Sequence, residues 1–147
     1  MKKQILTVVT ALSLSITLSV AAFAGLAYRV KANIPFDFMV GGNKLPAGEY
    51  TVERMNQVGV LAIRSAETKS GVQFIPLNGN SKDNTAKLVF RRYGNQYFLA
   101  KVQDGYSDGV ELIKSKAERE AARAGRDHLA LNNTAPEIVT ITARIGR

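Results

Sequence analysis

Apolar and polar residues alternate with a period of two from Tyr28 to Val40. Val30, Ala32, Ile34, Phe36, Phe38 and Val40 fall on one side, and Arg29, Lys31, Asn33 and Asp37 on the other. That alternation predicts a strand with one face buried. Pro35 has no amide hydrogen to give to a ladder, so the strand is expected to lie at an edge or to carry a bulge there. Gly41-Gly42-Asn43 breaks the pattern, Pro46-Ala47-Gly48 adds a second turn signal, and Tyr50, Val52 and Arg54 restart it. A hairpin with a long polar loop follows from this spacing. Further extended segments are expected at Val58 to Arg64, with Gly59 as a candidate bulge, and at Val72 to Leu77. Asn78 to Asn84 reads as a solvent loop, because Asn, Gly, Ser and Asp tolerate left-handed backbone.

The clearest hairpin joins Lys87 to Tyr93 with Gln96 to Gln103 through the two-residue turn Gly94-Asn95. Its strands carry apolar residues on both faces in places, which puts them in the middle of a sheet. A Gly-rich turn, Asp104 to Gly109, leads to a short strand at Val110 to Ile113. One helix is predicted over Ser115 to Arg126: Ser115 caps it, Glu118 completes a capping box, Ala117, Ala121, Ala122 and Ala124 favour it, and Gly125 suits its end. The tail Glu137 to Ile145 alternates again, with Val139, Ile141, Ala143 and Ile145 on one face. Seven to eight strands and one short helix predict a mainly β chain, a single antiparallel β sandwich or small barrel.

The first segment has a different character. Lys2 and Lys3 precede an uncharged stretch that runs to Tyr28, and Ile5 to Ala24 holds fourteen apolar residues and six Ser or Thr. This is the layout of a signal peptide, with Ala22-Phe23-Ala24 as the small-x-small cleavage pattern. Residues 1–24 are therefore expected to be an export signal, cut before Gly25 or, as an alternative, after Ala27, and residues 25–147 a single β-rich domain. A retained membrane anchor is the competing reading, since about 18 or more such residues can span a bilayer. Either way the folded part is expected outside the cytoplasm, in the periplasm or the extracellular space.

Composition narrows the chemistry. The absence of cysteine excludes disulfides, thiolate nucleophiles and thiolate-bound zinc, and a single histidine cannot build a His-rich metal site. That histidine, His128, sits beside Asp127 past the helix, and no Gly-x-Ser-x-Gly elbow accompanies it. Asp104, Asp108 and Glu111 lie in a Gly-rich turn, and their spacing faintly resembles a carboxylate pair or a calcium loop. Asp-Gly is an ordinary turn former, however, and the EF-hand order is missing. No Gly-rich loop followed by Lys-Ser/Thr supports nucleotide use. No catalytic residue, metal ligand or cofactor is assigned.

The net charge is +8, and loss of Lys2 and Lys3 with the signal lowers it to +6. Such an excess favours acidic partners. The positive charge concentrates on the strand from Arg29, on the hairpin at Arg91 and Arg92 with Tyr93 and Tyr97, and on Lys114, Lys116, Arg119, Arg123 and Arg126. The last three recur at i, i+4 and i+7, on one helix face. Arg91, Arg92, Lys114, Lys116, Arg119, Arg123 and Arg126 are the candidate surface for an anionic partner. Glu118 and Glu120 share that helix, and Lys116 to Glu120 is a favourable i, i+4 pair.

The segments Phe36-Asp37-Phe38-Met39-Val40-Gly41-Gly42, Leu45-Pro46-Ala47-Gly48-Glu49-Tyr50-Thr51-Val52, Tyr97-Phe98-Leu99-Ala100 and Ser115-Lys116-Ala117-Glu118-Arg119-Glu120 resemble a family of small exported β-rich proteins of soil bacteria whose function is uncharacterised. The resemblance implies a short secreted β domain and transfers no activity. The expected role is a non-catalytic domain of the cell envelope or extracellular space that binds another envelope protein or an anionic envelope polymer. Nucleic acid is not an expected partner of an exported chain, and no stable membrane span is expected after cleavage. Two alternatives come from other classes. One is a self-associating structural protein paired through the edge strand near Pro35 or the tail, and the other is a hydrolase using carboxylates near Asp104 to Glu111.

Overall fold

Pro35 divides the expected long strand in two. In the computed structural model, which describes residues 29–55, 59–68, 70–80, 83–127 and 135–146, β1 (Arg29–Ile34) ends before the proline. β2 (Phe38–Val40) begins beyond it, in a different sheet. Proline lacks a ladder donor and restricts the residue before it, so the chain bends here rather than forming an edge or a bulge. The alternation survives the bend: Val30, Ala32, Ile34, Phe38 and Val40 are all buried in one core.

The expected polar loop is itself partly paired. β2 turns through Gly41-Gly42 into β3 (Asn43–Leu45), and β4 (Gly48–Arg54) then runs antiparallel to β1, with Lys31 opposite Thr51. Gly41 has φ +66°, a backbone region that glycine enters without the steric penalty of a Cβ. Asp37 ties the loop together, pairing with Lys44 at 3.0 Å and accepting the Ala47 N–H at 3.1 Å. The hydrogen bond from Lys44, then that from Ala47, hold its carboxyl below the usual aspartate value. Buried Tyr50 donates its hydroxyl to the Pro46 carbonyl at 2.8 Å, so the Leu-Pro-Ala-Gly-Glu-Tyr segment closes on itself.

The first sheet continues with β5 (Leu61–Ser65) and β6 (Gly71–Phe74). Gly59 lies in the connection before β5, which starts at Leu61, not within a bulge; residues 56–58 lie outside the described residues. The segment expected as one strand from Val72 to Leu77 breaks at Ile75-Pro76. Its second part, β7 (Leu77–Asn78), pairs in the second sheet with β10 (Val110–Glu111), so Asn78 belongs to a strand rather than a loop. β8 (Ala86–Tyr93) and β9 (Gln96–Asp104) form the predicted hairpin around Gly94-Asn95, with an irregularity at Val89/Phe90. β2 lies parallel to β9 at Met39 and Phe98, a departure from the all-antiparallel expectation.

After helix α1 (Lys116–Asp127), which runs two residues past Gly125, the tail forms β11 (Glu137–Thr142) on β8 and β12 (Arg144–Ile145) on β1. Ala143 marks the crossing and donates its N–H to the Ala86 carbonyl at 2.9 Å. The first sheet has the order β12-β1-β4-β5-β6 and the second β11-β8-β9-β10-β7. Each sheet therefore hands its edge strands to the other, through β6 to β7 at one side and β11 to β12 at the other. The result is a β sandwich with barrel-like corners. Between the sheets the Phe38 ring meets Tyr50 and Phe90 edge-on at centroid distances of 5.0 and 5.5 Å. Burying such a side chain contributes on the order of 2 kcal/mol. β1 is flanked by β12 and β4 and is not an edge strand.

Candidate functional site

The basic and aromatic cluster expected on the hairpin separates into two parts, because successive residues of a strand face opposite sides of the sheet. Arg91 turns toward α1. Its Nε donates to Glu118 Oε1 at 2.5 Å, its Nη2 to Oε2 at 3.3 Å, and Tyr93 donates its hydroxyl to the same Oε1 at 3.3 Å. Glu118 is only 2% exposed. Arg91 Nη2 also donates to the Leu112 carbonyl at 3.4 Å, and Tyr93 meets Phe98 edge-on at 5.8 Å. The capping box is thus half formed: Ser115 Oγ accepts the Glu118 N–H at 3.2 Å, but the Glu118 carboxylate fastens the helix to the sheet.

Arg92 takes the other face. Its Nη1 donates to Glu137 Oε2 at 3.0 Å and its Nε to the Gly94 carbonyl at 2.8 Å, while its guanidinium lies 5.4 Å from the Tyr97 ring centroid. Tyr97 in turn stacks on Phe36 at 3.9 Å. On the helix, Lys116 pairs with Glu120 at 3.9 Å, and Arg119 Nη1 donates to the Lys114 carbonyl at 3.1 Å. Lys114, Lys116, Arg119 and Arg123 are exposed. Arg126 lies within the helix, and His128 lies outside the described residues. Of the seven candidate cations, Arg91 and Arg92 are paired with carboxylates of other elements, while Lys114, Lys116, Arg119 and Arg123 are exposed in or just before α1.

The three turn carboxylates have separate surroundings. Asp104 accepts the Tyr106 and Ser107 N–H groups at 2.9 and 2.8 Å and the Ser107 hydroxyl at 3.0 Å. Partial burial pushes its pKa up, and these hydrogen bonds, led by the Ser107 amide, outweigh that and leave it below the usual value. Glu111 pairs with Lys101 at 3.8 Å, and Asp108 is exposed. Among the described residues no three His, Cys, Asp or Glu side chains converge as a metal site. No described helix is long and apolar enough to cross a membrane.

A basic groove lies elsewhere, on the outer face of the first sheet. Register places Lys31, Thr51 and Arg64 on one rung across β1, β4 and β5, with Arg29, Glu53 and Ala62 on the next. Arg29, Lys31, Thr51, Glu53, Arg64, Ser65 and Ala66 line a cavity of about 250 Å³. Glu53 is the one carboxylate of that lining, and it pairs with Arg29 at 3.4 Å and Arg64 at 3.2 Å. Arg64 Nη2 also reaches Met55 Sδ at 3.4 Å. Lys31 has no ion-pair partner among the described residues. Arg29 Nε is buried without a hydrogen-bond partner there.

The tail runs alongside the groove. Arg144 stands beside Lys31 on β12, and the Gly146 N–H donates to the Arg29 carbonyl at 2.9 Å. A Cβ at Gly146 would lie 2.8 Å from Arg29 Cδ and 2.9 Å from Cγ, so the tail backbone rests directly on the arginine stem. The candidate residues named from the sequence include none of this groove. Its signal was the polar alternation of Arg29 and Lys31 and of Thr51 and Glu53, combined with the antiparallel pairing of β1 and β4. The chain matches no family model, no curated protein and no solved structure.

Proposed function

We propose that this chain is an exported, non-catalytic β domain of the cell envelope or extracellular space that binds an anionic envelope polymer. The observation that carries this reading is the groove on the first sheet, where Arg29, Lys31 and Arg64 surround one carboxylate on adjacent strands. Strands hold these cations at fixed spacings, about 4.8 Å between neighbouring strands and about 3.4 Å per residue along each. A regular polyanion therefore meets a preset pattern of charge. The exposed cations of α1 add long-range attraction without a shaped site. The export signal read in residues 1–24 supports placement beside envelope polymers.

The test is cosedimentation of the purified protein with an anionic envelope polymer fraction at two salt concentrations. Retention is expected at about 0.01 M salt, where the Debye length is about 30 Å, and loss near 1 M, where it is about 3 Å. Lys31→Ala combined with Arg64→Ala should weaken retention at low salt. Absence of retention at low salt, or retention indifferent to that double substitution, overturns the reading. Cell fractionation and the mature N-terminus by mass spectrometry test export.

A further inference from the structure

The groove has a charge and a size that select among anions. Resting on the proposed role in anion binding, we infer that it is a site for a terminal phosphate monoester carried on an envelope component. Three cations and one carboxylate leave the lining with two positive charges. A phosphate monoester carries about −1.5 to −2 near neutral pH and presents three strong acceptor oxygens. A carboxylate or a phosphodiester, each with one negative charge, neutralises only half of the site.

Donor supply agrees. Arg29 and Arg64 each give one bond to Glu53, while a guanidinium has five N–H groups, and the Lys31 ammonium adds three more. Arg64 lies two strands from Lys31 on one rung, with Thr51 and its hydroxyl between them. The volume of about 250 Å³ equals roughly eight waters at about 30 Å³ each, room for a phosphate and a short substituent. The tail backbone at Gly146 packs on the Arg29 stem before any ligand arrives, which lowers the ordering cost of binding.

Titration calorimetry on the purified full chain distinguishes these anions, with methyl phosphate, dimethyl phosphate and acetate as probes at low salt and pH about 8, above the second phosphate pKa of about 6. Methyl phosphate is expected to bind about tenfold or more tightly than either monoanion, a difference of about 1.4 kcal/mol. Lys31→Ala, which breaks no ion pair seen in the structure, should cost about tenfold in methyl phosphate affinity while the thermal melt is unchanged. Arg119→Ala with Arg123→Ala should leave that affinity as it was. Equal affinity for the three probes, or methyl phosphate binding insensitive to Lys31→Ala, overturns the inference. If polymer retention depends on Lys31 and Arg64 while the monoester shows no advantage, the inference fails and the broader anion-binding role stands. If retention is also indifferent to both residues, both fail.

Discussion

Two basic regions of this molecule look alike in the sequence and differ in three dimensions. Around α1 and the β8–β9 hairpin, Arg91 is directed inward to buried Glu118 and Arg92 is held by Glu137, Gly94 and Tyr97. There the arginines fasten the fold, and the helix cations Lys116, Arg119 and Arg123 are exposed. On the first sheet, Glu53 is shared between Arg29 and Arg64, and Lys31 remains unpaired among the described residues. Positive charge in one region stabilises the fold, and in the other it forms a groove. The difference lies in whether each cation meets its own carboxylate, which composition cannot show.

The sharpest break in this comparison is Glu118→Ala. Removing one member of a buried, hydrogen-bonded pair leaves Arg91 without its counter-charge, and a loss of about 3 kcal/mol is expected in urea unfolding. Arg91→Met combined with Glu118→Leu should recover more than half of that loss, because apolar replacements leave no buried charge. A double variant as unstable as the single one would remove the structural role assigned to the pair.

Glu53→Gln probes the groove in the opposite sense. It raises the lining charge by one and frees Arg29 and Arg64, so anion affinity should increase about threefold to tenfold, read by calorimetry. Stability should fall by about 1 kcal/mol, since Arg64 is exposed and Arg29 half-buried. Weaker anion binding in this variant would mean that Glu53 orders the cations more than it competes with the ligand.

Gly146→Ala has a smaller expected effect. The new methyl group collides with the Arg29 stem, which must shift, and anion affinity should drop about threefold with the α1 region undisturbed. The smallest effect is expected from Arg119→Glu with Arg123→Glu. These exposed positions should change stability by about 0.5 kcal/mol or less, and high-salt behaviour should match the parent. A large stability loss there would show that the helix face packs against something beyond solvent.

Much of the fold was legible residue by residue. The alternation from Val30 to Val40 identified a buried face that the structure retains across the bend, and Gly94-Asn95 located the central hairpin. Ser115 marked the start of the helix. Less legible were the places where one alternating stretch serves two sheets. Pro35 and Pro76 were visible as breakers, but a missing donor says that a ladder stops, not which sheet takes the chain next. At Ala143 no breaker exists, and the crossing depends on pairing with β8 on one side and β1 on the other.

The candidate site was only partly legible for the same reason. Glu118 fitted a capping box, a local motif four residues long, yet its carboxylate bonds Arg91 across 27 positions in sequence. Arg91 and Arg92 looked like one cluster because they are neighbours, and strand geometry sends them to opposite faces.

By itself the sequence determined the mainly β class, the turns, the helix start and the apolar face of most strands, because these follow from side-chain periodicity and backbone sterics within a few residues. Tertiary structure alone decided that Lys31, Thr51 and Arg64 share a rung, that Glu53 serves two arginines, and that Gly146 rests on Arg29. Those contacts join distant segments through strand register, and register is set by packing of the whole core.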